Sequence, residues 1–255
     1  MILDINAFIG EWPFGELPHR TADGLLSLMD RHGIDRAAVA SLHGLFYKRC
    51  DAANRRLWNE IQGHTDRLIP VGIVNPAFPM WERDLRQCRD EFVARAVRLF
   101  PTYHGYTVDS PECSDAIDAA AELGLPVILS VGFEDARVHH WITQIPAVDM
   151  AALRTLASAK RGKRLVIAAL HAAEVRTLLA QPAESDCLVE TSHMEGPVMG
   201  IQDLVQRVGA HRVMLGTQAP FMNPAGAMLA VTEPGFDEAD RARVMGENAR
   251  ELLGV

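Results

Sequence analysis

The chain has 255 residues, 48% of them hydrophobic and 23% charged, and its 33 acidic and 25 basic residues give a formal net charge of −8. This composition is that of an ordinary globular protein, which excludes intrinsic disorder, collagen and coiled coil. The negative charge disfavours nucleic acid and membrane surfaces as partners, because it would be repelled by phosphate backbones and anionic lipids.

Eight short apolar segments predict β-strands along the chain. They lie at residues 2–8, 37–42, 68–75, 94–100, 126–131, 164–170, 187–191 and 212–217. Most are continuous apolar runs rather than alternating ones, a pattern typical of strands that are buried on both faces of a parallel sheet.

Helical patterns separate these strands. The predicted helices cover residues 21–32, 51–63, 81–93, 111–123, 150–160, 172–180 and 201–208, and a closing helix runs from residue 237 to 253. Asp237 is a good N-cap for that last helix. Residues 213–232 carry no charge and have membrane-spanning length, but Pro220 and Pro224 interrupt them. We therefore predict a strand and a polar turn there.

Eight strands, each followed by a helical segment, are what a (β/α)8 barrel requires in a chain of this length. A doubly wound open sheet is the alternative, but its glycine-rich phosphate turn is missing after the first predicted strand. We predict one α/β barrel domain over residues 1–255, with a C-terminal closing helix. Its first and last strands should be neighbours, with Asn6 and Gln218 close together at one mouth.

The four cysteines are scattered and form no C-x-x-C pair, which indicates reduced thiols rather than a zinc ribbon or a disulfide framework. The N-terminus lacks the basic start of a signal peptide, and Asp4 breaks its apolar run. We therefore expect a cytoplasmic protein.

Five stretches of the chain resemble the amidohydrolase-related family, the metal-dependent hydrolases of (β/α)8 fold. They are MILDINAFIG at 1–10, GLPVIL at 124–129, LVIAALH at 165–171, RVMLGTQAPF at 212–221 and ENARELLG at 247–254. They are similar to the family's first, fifth, sixth and eighth strands and to its closing helix. The resemblance thus implies the family's barrel from end to end.

The same resemblance implies that most of the family's metal ligands are replaced. Two first-strand histidines, a fifth-strand histidine and an eighth-strand aspartate fall, in that order, on Asn6, Phe8, Ser130 and Gln218. The sixth-strand histidine is kept as His171. Phenylalanine cannot bind a metal, and neutral oxygens are weak ligands for zinc. We therefore predict no metal and no cofactor. A relocated metal site would draw on His139, His140 or His193.

Barrel enzymes carry their reactive groups at the carboxyl ends of the strands, and this rule selects the candidate site residues. The catalytic candidates are His171, His104 and Glu190. The substrate-binding candidates are Arg98, Tyr103, Asn6, Ser130 and Gln218. Strand parity turns Arg98 inwards. Its buried guanidinium needs a partner, which is either Glu190 or the carboxylate of a substrate.

These candidates favour a metal-independent hydrolase of a small anionic lactone, ester or amide. Arg98 and Tyr103 would orient or polarise the substrate. His171 or His104 would take a proton from water, and Glu190 would orient that water or act as the base. Two alternatives stay open: a decarboxylase of the same family, and a small-molecule-binding barrel without catalysis. The expected partner is a small molecule in every case, and a homo-oligomer is left open.

Overall fold

Eight parallel strands follow one another around a barrel in chain order, as the computed structural model shows. They are β1 (Leu3–Ile9), β2 (Arg36–Ser41), β3 (Leu68–Ile73), β4 (Ala96–Leu99), β5 (Val127–Ser130), β6 (Leu165–Ala168), β7 (Leu188–Glu190) and β8 (Val213–Met214). The structure describes residues 1–134, 140, 145–181, 184–194, 196, 200–232, 235 and 237–255. Within them every predicted strand is present, which confirms the barrel.

Strand β8 is shorter than the sequence predicts, because side chains of other strands take over the backbone groups that follow it. The Gly216 amide donates to Thr191 Oγ1 at 3.1 Å, and the Thr217 amide donates to Asp4 Oδ1 at 3.0 Å. Gln218 then adopts a left-handed conformation with φ of 54°. Strand β8 therefore has only two residues, Val213 and Met214.

The barrel closes between β1 and the segment that follows β8. The Ile5 amide donates to the Leu215 carbonyl at 2.9 Å, and the Gln218 amide donates to the Asn6 carbonyl at 2.7 Å. The two ends of the sheet are therefore neighbours, and Asn6 and Gln218 lie together at one mouth, as predicted.

Helices connect the strands. They are α1 (Ala22–His32), α2 (Asp51–Ile61), α3 (Trp81–Asp90), α4 (Pro101–His104), α5 (Pro111–Glu122), α6 (Met150–Ala159), α7 (Ala172–Leu178), α8 (Gly200–Val208), α9 (Pro224–Thr232), α10 (Glu238–Ala242) and α11 (Asn248–Leu253). A π-helical turn, Arg243–Glu247, joins α10 to α11. The predicted closing helix is thus kinked at Gly246, where the backbone leaves the helical conformation. The Asp237 carboxylate caps its start by accepting from the Asp240 amide at 2.7 Å.

Helix α9 lies where the sequence predicted a polar turn, so that prediction is wrong for Pro224–Thr232. Its sequence, PAGAMLAVT, is apolar all round and shows no 3.6-residue periodicity. In the described part of the chain, no helix is long and apolar enough to cross a lipid bilayer.

Strand parity divides the apolar side chains into an inner and an outer layer. Val97 and Leu99 of β4 belong to the outer layer, which packs against the helices. Leu252 and Leu253 of α11 join the inner layer, so this helix closes the end of the barrel at which β1 begins. All four cysteines are buried free thiols.

Candidate functional site

Glu190, at the end of β7, is held by four hydrogen-bond donors and is fully buried. Its carboxylate accepts from the Ala169 amide at 2.7 Å, the Ser192 amide at 2.7 Å and the Ser192 hydroxyl at 2.8 Å. The Asn6 side-chain amide donates to it at 3.3 Å. A Cβ at Gly216 would lie 1.9 Å from Glu190 Oε2, so only glycine fits there. Glu190 thus ties β1, β6 and β7 together.

Asp4 is a second buried carboxylate inside the barrel. It accepts from the Asn6 amide at 2.8 Å and from the amide and hydroxyl of Thr217. Burial raises the pKa of Asp4 to about 6, against the lowering effect of these hydrogen bonds. Asp4 therefore joins β1 to the end of β8.

Arg98 faces the interior, as strand parity predicts, and only 1% of its surface is exposed. Its Nη1 donates to Ser130 Oγ at 2.8 Å, and its Nη2 donates to the Ile5 carbonyl at 3.5 Å. The guanidinium lies 4.8 Å from the Phe8 ring and 5.9 Å from the Phe100 ring. Within the described residues no carboxylate oxygen comes within 4.0 Å of it. Burial lowers its pKa to about 10, although the charges of the two buried carboxylates oppose this shift.

Aromatic rings close the centre of the mouth above Arg98. Phe133 packs on Phe8 at 5.1 Å between ring centroids, Trp12 stacks on Phe133 at 5.5 Å, and Phe221 lies 4.8 Å from both Trp12 and Phe133. We call these four rings the aromatic cap. Because Phe8 also lies against the guanidinium, the cap separates Arg98 from solvent.

An open cavity of about 240 Å³ lies beside the cap, among the residues that follow β4, β5, β6 and β7. Its polar lining residues are Tyr103, Glu134, His171, Glu174 and His193. Its apolar wall includes Val131, Phe133, Ile145, Val148, Met150 and Leu170. Of the eight predicted site residues, the structure places Tyr103 and His171 on this cavity. The other six do not line it.

The two cavity histidines are joined in a hydrogen-bonded chain that ends at the cap. His171 Nδ1 lies 3.2 Å from the His193 carbonyl oxygen, and His193 Nε2 lies 2.6 Å from Gln218 Oε1. The Gln218 amide nitrogen donates to the Phe133 carbonyl at 2.6 Å. Since both acceptors are oxygens without a proton, His171 carries its proton on Nδ1 and His193 on Nε2. The exposed His171 therefore keeps Nε2 for chemistry.

His104 points away from this cavity. Its Nε2 donates to the Gly44 carbonyl at 2.8 Å, and its buried Nδ1 has no hydrogen-bond partner within the described ranges. Burial lowers the pKa of His104 to about 4, against the opposing effect of the Gly44 hydrogen bond. His104 is consequently neutral near pH 7 and anchors α4 to the turn that follows β2.

The residues that the resemblance assigns to the family's metal-ligand positions do not fit a metal ion. Ser130 Oγ and Gln218 Oε1 accept hydrogen bonds from other side chains, and Phe8 has no ligand atom. Asn6 Oδ1 is a buried oxygen without a partner, but it is a neutral amide. Among the residues the structure describes, no group of three or more His, Cys, Asp or Glu side chains is placed to hold a metal.

Of the three histidines predicted for a relocated metal site, the structure describes His140 and His193. His139 lies outside the described residues. The ring of His140 stacks on Phe14 at 4.8 Å, whereas His193 bonds to Gln218. These two histidines therefore have separate partners.

The family model Amidohydrolase matches residues 6–255. The chain belongs to the amidohydrolase family. No curated protein matches the sequence. Among solved structures, this amidohydrolase-family chain is similar to 2,6-dihydroxybenzoate decarboxylase from Rhizobium, with 18% identity over 99% of this chain and 98% of that one and a TM-score of 0.75.

Two further structures show the same fold. 5-Carboxyvanillate decarboxylase from Sphingomonas paucimobilis is 15% identical over 100% of this chain and 99% of its own, with a TM-score of 0.74. Dihydroxybenzoic acid decarboxylase from Polaromonas sp. JS666, with bound manganese and the inhibitor 2-nitroresorcinol, is 17% identical over 99% and 96%, with a TM-score of 0.74. At such identities the likeness concerns the fold.

Sequence reasoning missed the aromatic cap and treated His193 only as a relocated ligand. His193 directly follows Ser192 at the carboxyl end of β7, and that position is the signal that could have selected it. The cap could not be found this way, because its rings come from four separate loops and strands and meet only in the folded barrel.

Proposed function

We propose that this member of the amidohydrolase family decarboxylates a small hydroxylated aromatic acid without oxidation, with His171 as the proton donor. The observation that carries the proposal is the exposed His171 on the cavity, held by its Nδ1 proton and free at Nε2. Support comes from the solved structures of the same fold, which are named as decarboxylases of such acids.

The cavity suits one substituted ring. Its volume of about 240 Å³ is below the range of drug-sized pockets. Phe133 offers a ring face, and Val148 and Met150 belong to an apolar wall. A substrate carboxylate that lies against this apolar wall loses its hydration, and this loss favours its departure as neutral CO2. Tyr103 lines the cavity, and its hydroxyl can bind a substrate oxygen.

The chemical step needs only a proton. Protonated His171 transfers the Nε2 proton to the ring carbon that bears the carboxylate, and a hydroxyl group on the ring supplies electron density. The bond between the ring carbon and the carboxylate then breaks, its electron pair restores the aromatic ring, and CO2 leaves. Neutral His171 regains a proton from water. General acid catalysis of this kind contributes about 10²–10⁴-fold in rate.

Hydrolysis has less support than the sequence suggested. In the hydrolase predicted from the sequence, Arg98 orients or polarises the substrate, and Glu190 orients the attacking water or acts as the base. Both side chains are buried, and neither lines the cavity. Among the described residues that line the cavity, none is an arginine or a lysine that could stabilise the oxyanion of a hydrolase. Binding without catalysis is the second candidate, and the aromatic cap over the barrel centre is the observation that favours it. A cytoplasmic location and a homo-oligomer stay predictions.

The test is release of CO2 from 2,6-dihydroxybenzoate, 5-carboxyvanillate and related hydroxybenzoates, each with and without a chelator. We expect turnover by the parent, a loss of about 10²-fold or more in His171→Asn, and no loss in His211→Asn, a matched change at an exposed histidine. Binding of these acids without CO2 release would establish the binding protein instead. Cleavage of aryl esters or lactones that depends on His171, with no CO2 release, would establish the hydrolase.

A further inference from the structure

We propose that the guanidinium of Arg98 is the resident cation of this barrel, taking the place of a metal ion in holding the strand ends together. The proposal concerns the fold and is independent of the reaction proposed above. It also differs from the substrate-binding role that the sequence suggested for Arg98.

The interior of the barrel mouth holds two buried carboxylates whose negative charge needs compensation. Asp4 is 1% exposed and Glu190 is fully buried. Both act electrostatically on Arg98, and Asp4 and Glu190 also repel each other. Leaving buried carboxylates without a nearby cation is costly, because the protein interior screens charge poorly. In a metal-dependent barrel the metal ion itself supplies that charge.

Arg98 reaches the strand ends that such an ion would join. It starts on β4, donates to Ser130 at the end of β5 and donates to the Ile5 carbonyl of β1. Glu190 separately joins β1, β6 and β7 through its own hydrogen bonds. The guanidinium and the two carboxylates each join neighbouring strands, and they interact with one another through their charges.

The guanidinium is buried and does not line the cavity in which a substrate anion would bind. Its two terminal nitrogens already donate, and the Phe8 and Phe100 rings lie near its planar group. Such contacts suit arginine, which is more weakly hydrated than lysine and stacks on rings. Nε has no hydrogen-bond partner, but it is as buried as the rest of the side chain. Arg98 thus compensates charge from inside the core.

A pair of substitutions separates charge from shape. Arg98→Lys keeps the positive charge but loses the planar fork, whereas Arg98→Gln keeps a hydrogen-bond donor but loses the charge. We expect the glutamine variant to lose roughly 10 °C or more in Tm, or to fail to fold. The lysine variant, which keeps the charge but loses the ring contacts, should fold and lose less. Equal losses in the two variants, or failure of both to fold, would overturn the proposal.

Two further measurements test the partner and the metal. In the Glu190→Gln background the loss caused by Arg98→Gln should be smaller than in the parent, because one uncompensated charge is gone. Equal losses in the two backgrounds would count against the pairing. Chelator, Mn²⁺ and Zn²⁺ should leave the Tm of the parent unchanged. Stabilisation by either metal that disappears in Asn6→Ala would show a metal at this place and refute the substitution by arginine.

Discussion

The buried imidazole of His104 should make the free energy of unfolding depend on pH in a direction the geometry predicts. Its Nε2 proton is donated to the Gly44 carbonyl, and its buried Nδ1 has no partner in the part of the chain that the structure describes. A second proton on Nδ1 would be buried without an acceptor. The pKa of His104 in the folded protein is therefore lowered to about 4, from 6.5 in an unfolded chain.

The sign follows from which state takes up the proton. Between pH 6.5 and about 4 the unfolded chain is protonated at this histidine and the folded protein is not, so acidification favours unfolding. The contribution is present above pH 6.5 and is lost as the pH falls through this window. At about 1.4 kcal/mol for each pKa unit, the full shift is worth about 3.5 kcal/mol at most.

Asp4 acts in the opposite direction over nearly the same range. Its folded-state pKa is raised to about 6 from 3.8, so it takes up a proton more readily in the folded protein and stabilises the fold as the pH falls below 6. The two effects mask each other in the parent protein. The contribution of His104 therefore has to be measured as a difference between the parent and a variant that keeps Asp4.

The variant is His104→Gln, whose side-chain amide can still donate to the Gly44 carbonyl. Urea unfolding, followed by tryptophan fluorescence from pH 4.5 to 7.5, gives the free energy of unfolding of both proteins. We expect the parent to lose up to about 3 kcal/mol relative to the variant as the pH falls. A difference that does not change with pH would refute the reasoning, as would a ring resonance of His104 that titrates near pH 6.5 in NMR spectra.

Three other outcomes follow from the structure. Gly216→Ala should lower the free energy of unfolding by about 2–3 kcal/mol or prevent folding, because the new Cβ would overlap Glu190. Urea unfolding measures this loss, and Gly63→Ala, whose Cβ meets nothing within 4 Å, is the control. Asn54→Ala should cost about 2–3 kcal/mol in thermal unfolding, because this buried side chain bonds both an amide and a carbonyl of β3 at 2.8 Å. Gln218→Met should reduce kcat for CO2 release more than it changes KM, because it frees the side chain of His193, whose backbone carbonyl orients the proton donor His171. An unchanged kcat would show that the bond between Gln218 and His193 has no positioning role.

The sequence by itself determined the barrel. The apolar segments are too continuous for a half-exposed sheet, and each is followed by a helical pattern, so local periodicity and chain length together indicate eight βα units. Parity along β4 also turned Arg98 inwards, since neighbouring strand residues face opposite sides whatever the rest of the fold does. Helix α9 was not predicted, because a segment that is apolar on all sides shows no helical periodicity.

Tertiary structure alone decided which of the inward residues can meet a ligand. His104, Glu190 and His171 all follow or end a strand, so the sequence could not rank them. In the structure His104 bonds a carbonyl of another loop and Glu190 is held by four donors. His171 alone of the three is open to the cavity. Accessibility depends on atoms that are distant in the chain: the rings of the aromatic cap come from residues 8, 12, 133 and 221 and cover the centre of the mouth. Such a cover has no local pattern, because it arises only when separate loops converge.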